Sequence, residues 1–224
     1  MKTSPDLDRA STADIGPPPL GGERIEHDRE AESQARLGEA VSKNLGGRVR
    51  DLRKKRGLTL NELSERSQVS RAFLSAIERS AKSPTLPIIV RIARGLNVSM
   101  SALLGVEPAA SGVASNRSTD QVTFRDPQSG FERTVLSPSR EGGGVEIVKH
   151  CIPPGQSSGL LPVYPTAVEK HILMQYGELT ALIDGREYKI SSGDTLSFTI
   201  ETPYRLCNEG SVPCVYIVVM VERG

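Results

Sequence analysis

The 224-residue sequence predicts an α + β multidomain chain, with an N-terminal five-helix domain followed by a small antiparallel β-barrel. Two observations predict it. Apolar residues recur every three or four positions as far as Leu104, and beyond residue 120 they give way to short β-like runs separated by Gly and Pro. Charge is partitioned in the same way. Residues 1–40 carry a net −4, residues 41–106 a net +9 and residues 107–224 a net −4, all hidden inside an overall +1. A field that basic over so short a stretch points to a polyanionic partner, with a solvated Lys/Arg helix face as the alternative.

The chain divides into four parts. Residues 1–35, with Pro17-Pro18-Pro19 and Gly21-Gly22 among charged residues, read as a disordered acidic tail. Residues 36–106 form the helical domain, residues 107–120 are small and polar and read as a linker, and residues 121–224 form the barrel. The apolar run at 216–221 is far too short to span a bilayer, so no membrane association is expected. No basic-then-apolar leader opens the sequence, and the three cysteines, Cys151, Cys207 and Cys214, are odd in number and at no metal-type spacing. A cytoplasmic protein without disulfides is expected.

In the helical part, Leu37, Val41, Leu45, Val49 and Leu52 mark a first helix that Gly57 ends; Gly46-Gly47 weakens its start, so the helix is expected to begin only after that pair. Arg53, Lys54, Lys55 and Arg56 read first as a solvated basic face at its C-terminus and second as phosphate contacts. Thr59 followed by Glu62 is a capping box that opens a second helix, which stops near Ser67. Gln68-Val69 makes a tight turn, and Ser70 caps a third helix with Phe73, Leu74 and Ile77 inward. Ser64 is the small residue expected at the crossing of these two helices. Ser83-Pro84-Thr85 caps a fourth helix carrying Ile88, Ile89, Ile92 and Leu96, and Ser99 caps a fifth that runs to Leu104.

The stretch RVRDLRKKRGLTLNELSERS…VSRAFLSAIERS…KSPTL resembles the Xre-type (phage-repressor-like) helix-turn-helix domain over residues 45–104. It departs from the family at Ser64, where Ala is usual, and at Gln68, where the turn favours Gly. The resemblance implies a sequence-specific transcriptional regulator that binds double-stranded DNA, with the helix after Ser70 in the major groove. Arg71, at its exposed first turn, is expected to read a base edge, because a guanidinium can bridge both acceptors of guanine. Ser70 and Ser75 are secondary candidates, and Thr59, Arg79 and Lys82 are expected to grip phosphates. Since one recognition helix reads only a few base pairs, a homodimer on two half-sites is expected.

After the linker, VEIVKHCI, EKHILMQY, ELTALI, EYKI, TLSFTI and CVYIVVMV read as strands, with Asp184-Gly185 a hairpin signal between two of them. Gly177 after EKHILMQY and the segment SGDTLSFTIETPYRLCN, with Gly193-Asp194, Pro203 and Asn208 in register, resemble the two cupin motifs over residues 122–222. The opening FRDPQSGFERTVLSP, with its DP-x-x-G turn, is similar to that of regulators combining helix-turn-helix and cupin domains. Metal-binding cupins gather three His and one Glu. Here those positions fall on Lys170, on Val163 and Pro165 or Tyr164 and Thr166, and on Tyr204. An ammonium repels a cation, and Glu169 and His171 flank Lys170 on the opposite face of its strand, so no metal and no cofactor are expected. Tyr164, Lys170 and Tyr204 are expected instead to line the barrel mouth and hold a small anionic effector. Cys151 and Cys214 read as core residues and Cys207 as packing rather than a redox sensor. Two alternatives stand beside the effector-sensing regulator: a metal-dependent cupin enzyme with a DNA-binding appendage, and a repressor whose barrel binds a protein partner.

Overall fold

A first helix, α1, covers residues 44–55 and is followed by α2 (Leu60–Ser67), α3 (Arg71–Glu78), α4 (Leu86–Gly95) and α5 (Met100–Leu104). The computed structural model describes residues 44–107, 113–139, 144–164 and 166–222, so the acidic tail, the first residues of the helical part, residues 108–112 of the linker, residues 140–143, Pro165 and the last two residues lie outside the described residues. Contrary to the sequence expectation, α1 contains Gly46 and Gly47. The reason is close approach: a Cβ on Gly46 would stand 2.2 Å from the carbonyl oxygen of Ile77 and 2.9 Å from Ser80 Oγ at the end of α3. The loss of helix propensity, about 1 kcal/mol at most, is outweighed by the contact that only Gly permits.

The capping box is formed, with Glu62 N donating to Thr59 Oγ1 (3.2 Å) and Thr59 N to Glu62 Oε2 (2.7 Å). Gln68 takes the left-handed conformation (φ 56°), and its Nε2 donates to the carbonyl of Glu65 (2.7 Å), which offsets part of the strain. Ser64 serves the turn rather than the helix crossing, since its hydroxyl donates to the carbonyl of Val69 (2.7 Å). A second close helix contact that needs small residues lies elsewhere. It is Ser67 of α2 against Gly95 of α4, where a Cβ would meet Ser67 Cβ at 2.9 Å.

Arg53 is not a solvated charge. It makes a paired contact with Glu78 of α3 (2.6 and 2.9 Å) and donates to the carbonyl of Leu58 (2.8 Å), with only 12% of its side chain exposed. Thr85 stands at the N-cap of α4 but makes no side-chain cap bond. Asp126 supplies one from outside the helical part: its Oδ2 accepts Leu86 N (2.6 Å) while Oδ1 accepts Gln128 N and Ser129 N in the DP-x-x-G turn. Arg48 of α1 donates to the last carbonyls of α5, those of Ala102 and Leu103.

Among the described residues nine strands follow: β1 (Thr123–Arg125), β2 (Glu132–Ser137), β3 (Gly144–Ile152), β4 (Val168–Tyr176), β5 (Glu178–Ile183), β6 (Arg186–Ser191), β7 (Thr195–Thr199), β8 (Tyr204–Cys207) and β9 (Cys214–Glu222). They form two antiparallel sheets, one ordered β1-β2-β3-β9-β4-β7 and the other β6-β5-β8. Asp184-Gly185 is the two-residue turn between β5 and β6, with both residues at positive φ as a type I′ turn requires. Along β3, β4 and β9 alternate residues are buried, which aims Glu146 and His150, Lys170, and Tyr216 inward. Cys214 is buried, whereas Cys151, expected in the core, is half-buried on the outward phase of β3.

Candidate nucleic-acid interface and barrel site

Ser70 begins α3 by accepting Phe73 N (3.3 Å), and Leu74 and Ile77 root the helix in the core. That leaves Arg71 and Ala72 exposed at the first turn, with Ser75 half-buried behind them. Thr59, Ser70, Arg79 and Lys82 are also exposed. Several are already engaged. The Thr59 hydroxyl donates to Glu62 (2.7 Å), Arg79 donates to the Ser75 hydroxyl, and the Lys82 ammonium stands 5.8 Å from the centre of the Phe73 ring. Arg71 projects from the capped turn of a helix whose far end is fixed by the Arg53–Glu78 pair.

In the barrel, two of the three expected residues meet. Lys170 and Tyr204 are each 2% exposed, and the ammonium donates to the phenol oxygen while lying 4.6 Å from the ring centre. Tyr164, half-buried, makes no hydrogen bond to this pair but adds to the upward push on the Tyr204 phenol, and it lines a crevice of about 500 Å³ with Arg66, Arg94, Asn97 and Val163. Burial pulls the Lys170 ammonium down to about 7; the Arg133 charge pushes the same way and Glu146 opposes it. Burial also raises the phenols of Tyr164, Tyr204 and Tyr216, so all three keep their protons at neutral pH.

Three further inward residues complete a buried polar cluster that the sequence reading did not assemble. Arg133 donates to Glu146 Oε2 (2.6 Å) and lies 3.2 Å from His150 Nε2. His150 packs edge-on against Phe131 and Tyr216, and its pKa is held well below the ordinary value by burial and by the Arg133 and Lys170 charges. Arg133 Nε, His150 Nδ1 and the Tyr216 hydroxyl are buried without a hydrogen-bond partner among the described residues. The signal that finds Glu146 and His150 is strand phase: stepping back by two from Ile152 reaches His150, Val148 and Glu146, whereas Arg133 lies in β2, where three successive residues are buried.

Glu169 and His171 face away from Lys170, with His171 Nδ1 beside Ser197 Oγ (2.8 Å) and its Nε2 3.5 Å from Glu169. Among the described residues no three His, Cys, Asp or Glu gather closely enough to hold a metal ion. Burial is also the main force raising the three thiols, Cys214 to about 12. No helix among the described residues is long and apolar enough to cross a membrane.

Residues 49–103 match the helix-turn-helix family model HTH_3. The HTH-type transcriptional regulator SutR of Escherichia coli is 25% identical over 77% of this chain and 91% of its own. The HTH-type transcriptional regulator y4dJ of Sinorhizobium fredii is 37% identical over 26% of this chain and 77% of its own. An HTH_3 family transcriptional regulator from Vibrio cholerae has the same fold, with TM-score 0.68 at 22% identity over 83% of this chain and 98% of that one. With α2 and α3 joined by the tight Gln68 turn, the chain belongs to the Xre-type helix-turn-helix family of DNA-binding transcriptional regulators.

Proposed function

We propose that the protein is a homodimeric, sequence-specific regulator that reads operator DNA with α3 and adjusts that binding to a small anionic effector held in the barrel. The observation that carries the DNA reading is Arg71, an exposed guanidinium on the first turn of a helix that Ser70 caps and Leu74 and Ile77 anchor. It enters the major groove and bridges the acceptors of a guanine. Ser70 and Ser75 take secondary positions beside it. Arg79 and Lys82 hold phosphates, and Thr59 does so by exchanging its bond to Glu62 for one to the DNA backbone.

The effector reading rests on Lys170. A buried amine poised near neutrality gains its full charge when an anion enters, so binding and protonation favour each other. Tyr204 orients the amine, and Tyr164 lines the route at the rim. Dimerisation is supported by β9, whose outward residues Val215, Ile217, Val219 and Val221 are as apolar as its inward ones, with Ile147 of β3 and Leu173 of β4 in register beside them. A solvated strand normally alternates apolar with polar residues and β9 does not, although Lys149, Glu169 and His171 lie opposite its outward residues. A second copy of the sheet is the occupant that supplies the two-fold axis two half-sites require.

The DNA reading is tested with a duplex selected from a random pool by the wild-type protein. Arg71→Ala weakens binding by roughly 1–3 kcal/mol and erases preference at one base pair of each half-site. An equal loss on every sequence contradicts base reading and makes Arg71 a phosphate contact.

A further inference from the structure

The barrel cluster and the recognition helix are the two ends of one polar chain. Arg133 holds Glu146 Oε2 at 2.6 Å, and the other oxygen of the same carboxylate accepts the hydroxyl of Ser101 in α5. Ser101 and Glu146 are both buried, at 0% and 5% exposure. The carbonyls of Ala102 and Leu103 in that helix accept Arg48 of α1 at 3.1 and 3.2 Å. Five residues further along α1, Arg53 grips Glu78, the last residue of α3.

We infer that Glu146 is the switch through which occupation of the barrel reaches the DNA-binding helices, with Arg133 as the residue that the effector's anionic group captures. This rests on the anionic-effector reading above and adds the residue that detects the anion and the route by which it is reported. Among the described residues the guanidinium of Arg133 still has its Nε without a hydrogen-bond partner in the buried interior, as do Nδ1 of His150 and the hydroxyl of Tyr216. Together these groups offer hydrogen-bond donors and a positive charge to a carboxylate-sized anion. An anion that takes Arg133 leaves Glu146 a buried carboxylate with Ser101 as its remaining bond. That is a poor state for a buried charge, so Glu146 withdraws and the tether on α5 is released. Loss of the tether loosens the α5 carbonyls on Arg48 and, through α1, the footing of α3. The effector therefore lowers DNA affinity.

The link is tested without knowing the effector, by hydrogen exchange of residues 100–104 and by affinity for the selected duplex. The proteins are wild type, Arg133→Met, Ser101→Ala and the double variant, each in the full chain. Arg133→Met and Ser101→Ala each speed exchange in α5 and weaken DNA binding by about tenfold, and the double variant is no worse than either single one, because both cut the same chain. Should Arg133→Met fail to fold, Glu146→Gln replaces it; it removes the charge that Arg133 holds while preserving the side chain's size. Effects that multiply, or an α5 whose exchange is unmoved when Arg133 or Glu146 is changed in a folded protein, overturn the link. Acetate is the separate probe of the effector reading. Calorimetric binding of acetate to wild type, lost in Arg133→Met and kept in Ser101→Ala with no effect on DNA, assigns the detector and the tether. Failure of wild type to take up acetate at millimolar concentration, with the variants coupled, overturns capture of a carboxylate by Arg133 and leaves the Glu146 tether standing.

Discussion

Lys170→Met makes the protein more stable at pH 6 and less dependent on pH above neutrality. The amine falls from an ordinary 10.5 to about 7 in the fold, so between those values the unfolded chain binds the extra proton. Wild-type stability therefore rises as pH climbs through 7 towards 10.5, and below 7 the full cost of burying the ammonium, about 3–5 kcal/mol, is present. Methionine has similar length and no charge. Its substitution removes that cost but leaves the Tyr204 hydroxyl without its bond, worth about 1–3 kcal/mol. The net gain is about 2 kcal/mol at pH 6, and it disappears and reverses near pH 10. Urea unfolding of both proteins from pH 6 to 10 measures this. The thiols and phenols also titrate at the alkaline end, and taking the difference between the two proteins cancels them. A variant less stable than wild type at pH 6 contradicts a costly buried charge. A retained cost of that size is what a binding site for an anion demands, because a packing residue would have been replaced by an apolar one without loss.

Glu78→Gln has the second large effect. Arg53 and Glu78 are 12% and 7% exposed, and their two-point contact joins α1 to the end of α3. Removing one charge leaves the other poorly solvated, and the unfolding free energy falls by about 3 kcal/mol. The Arg53 to Leu58 carbonyl bond survives, so the helices stay formed while their junction weakens. DNA affinity is expected to fall as well, because the exposed Arg71 end of α3, proposed above to read bases, is oriented from the far end of the helix. Replacing both residues with Met and Leu restores stability without restoring the affinity set by this geometry. A loss below about 1 kcal/mol in Glu78→Gln, read from denaturant unfolding, would mark the pair as an ordinary surface bridge.

Local chemistry made most of the helical part legible. The Thr59–Glu62 capping box, the caps at Ser70 and Ser99 and the apolar spacing of Leu74 and Ile77 are encoded within a few residues of where they act. What stayed hidden depends on distant partners. Gly46 looked like a helix breaker because the carbonyl it makes room for lies 31 positions away. Arg53 looked solvated because Glu78 is 25 residues distant, and α4 seemed to be capped by Thr85 because Asp126 is 40 residues from Leu86. In the barrel, the motif positions single out Lys170 and Tyr204, which the fold brings into contact, but Arg133, Glu146 and His150 needed the register of β2 against β3 to bring them together. Strands β1 and β8 are too short, at three and four residues, to establish a period, and in β2 three successive buried residues hide the alternation.

The most direct test of the account is native mass spectrometry of the full-length protein mixed with its selected duplex. Two chains per duplex are predicted, with selection returning two half-sites about one helical turn apart and a scrambled duplex left largely unbound at the same salt. One chain per duplex, or equal capture of the scrambled sequence, would contradict a dimer that reads bases through α3.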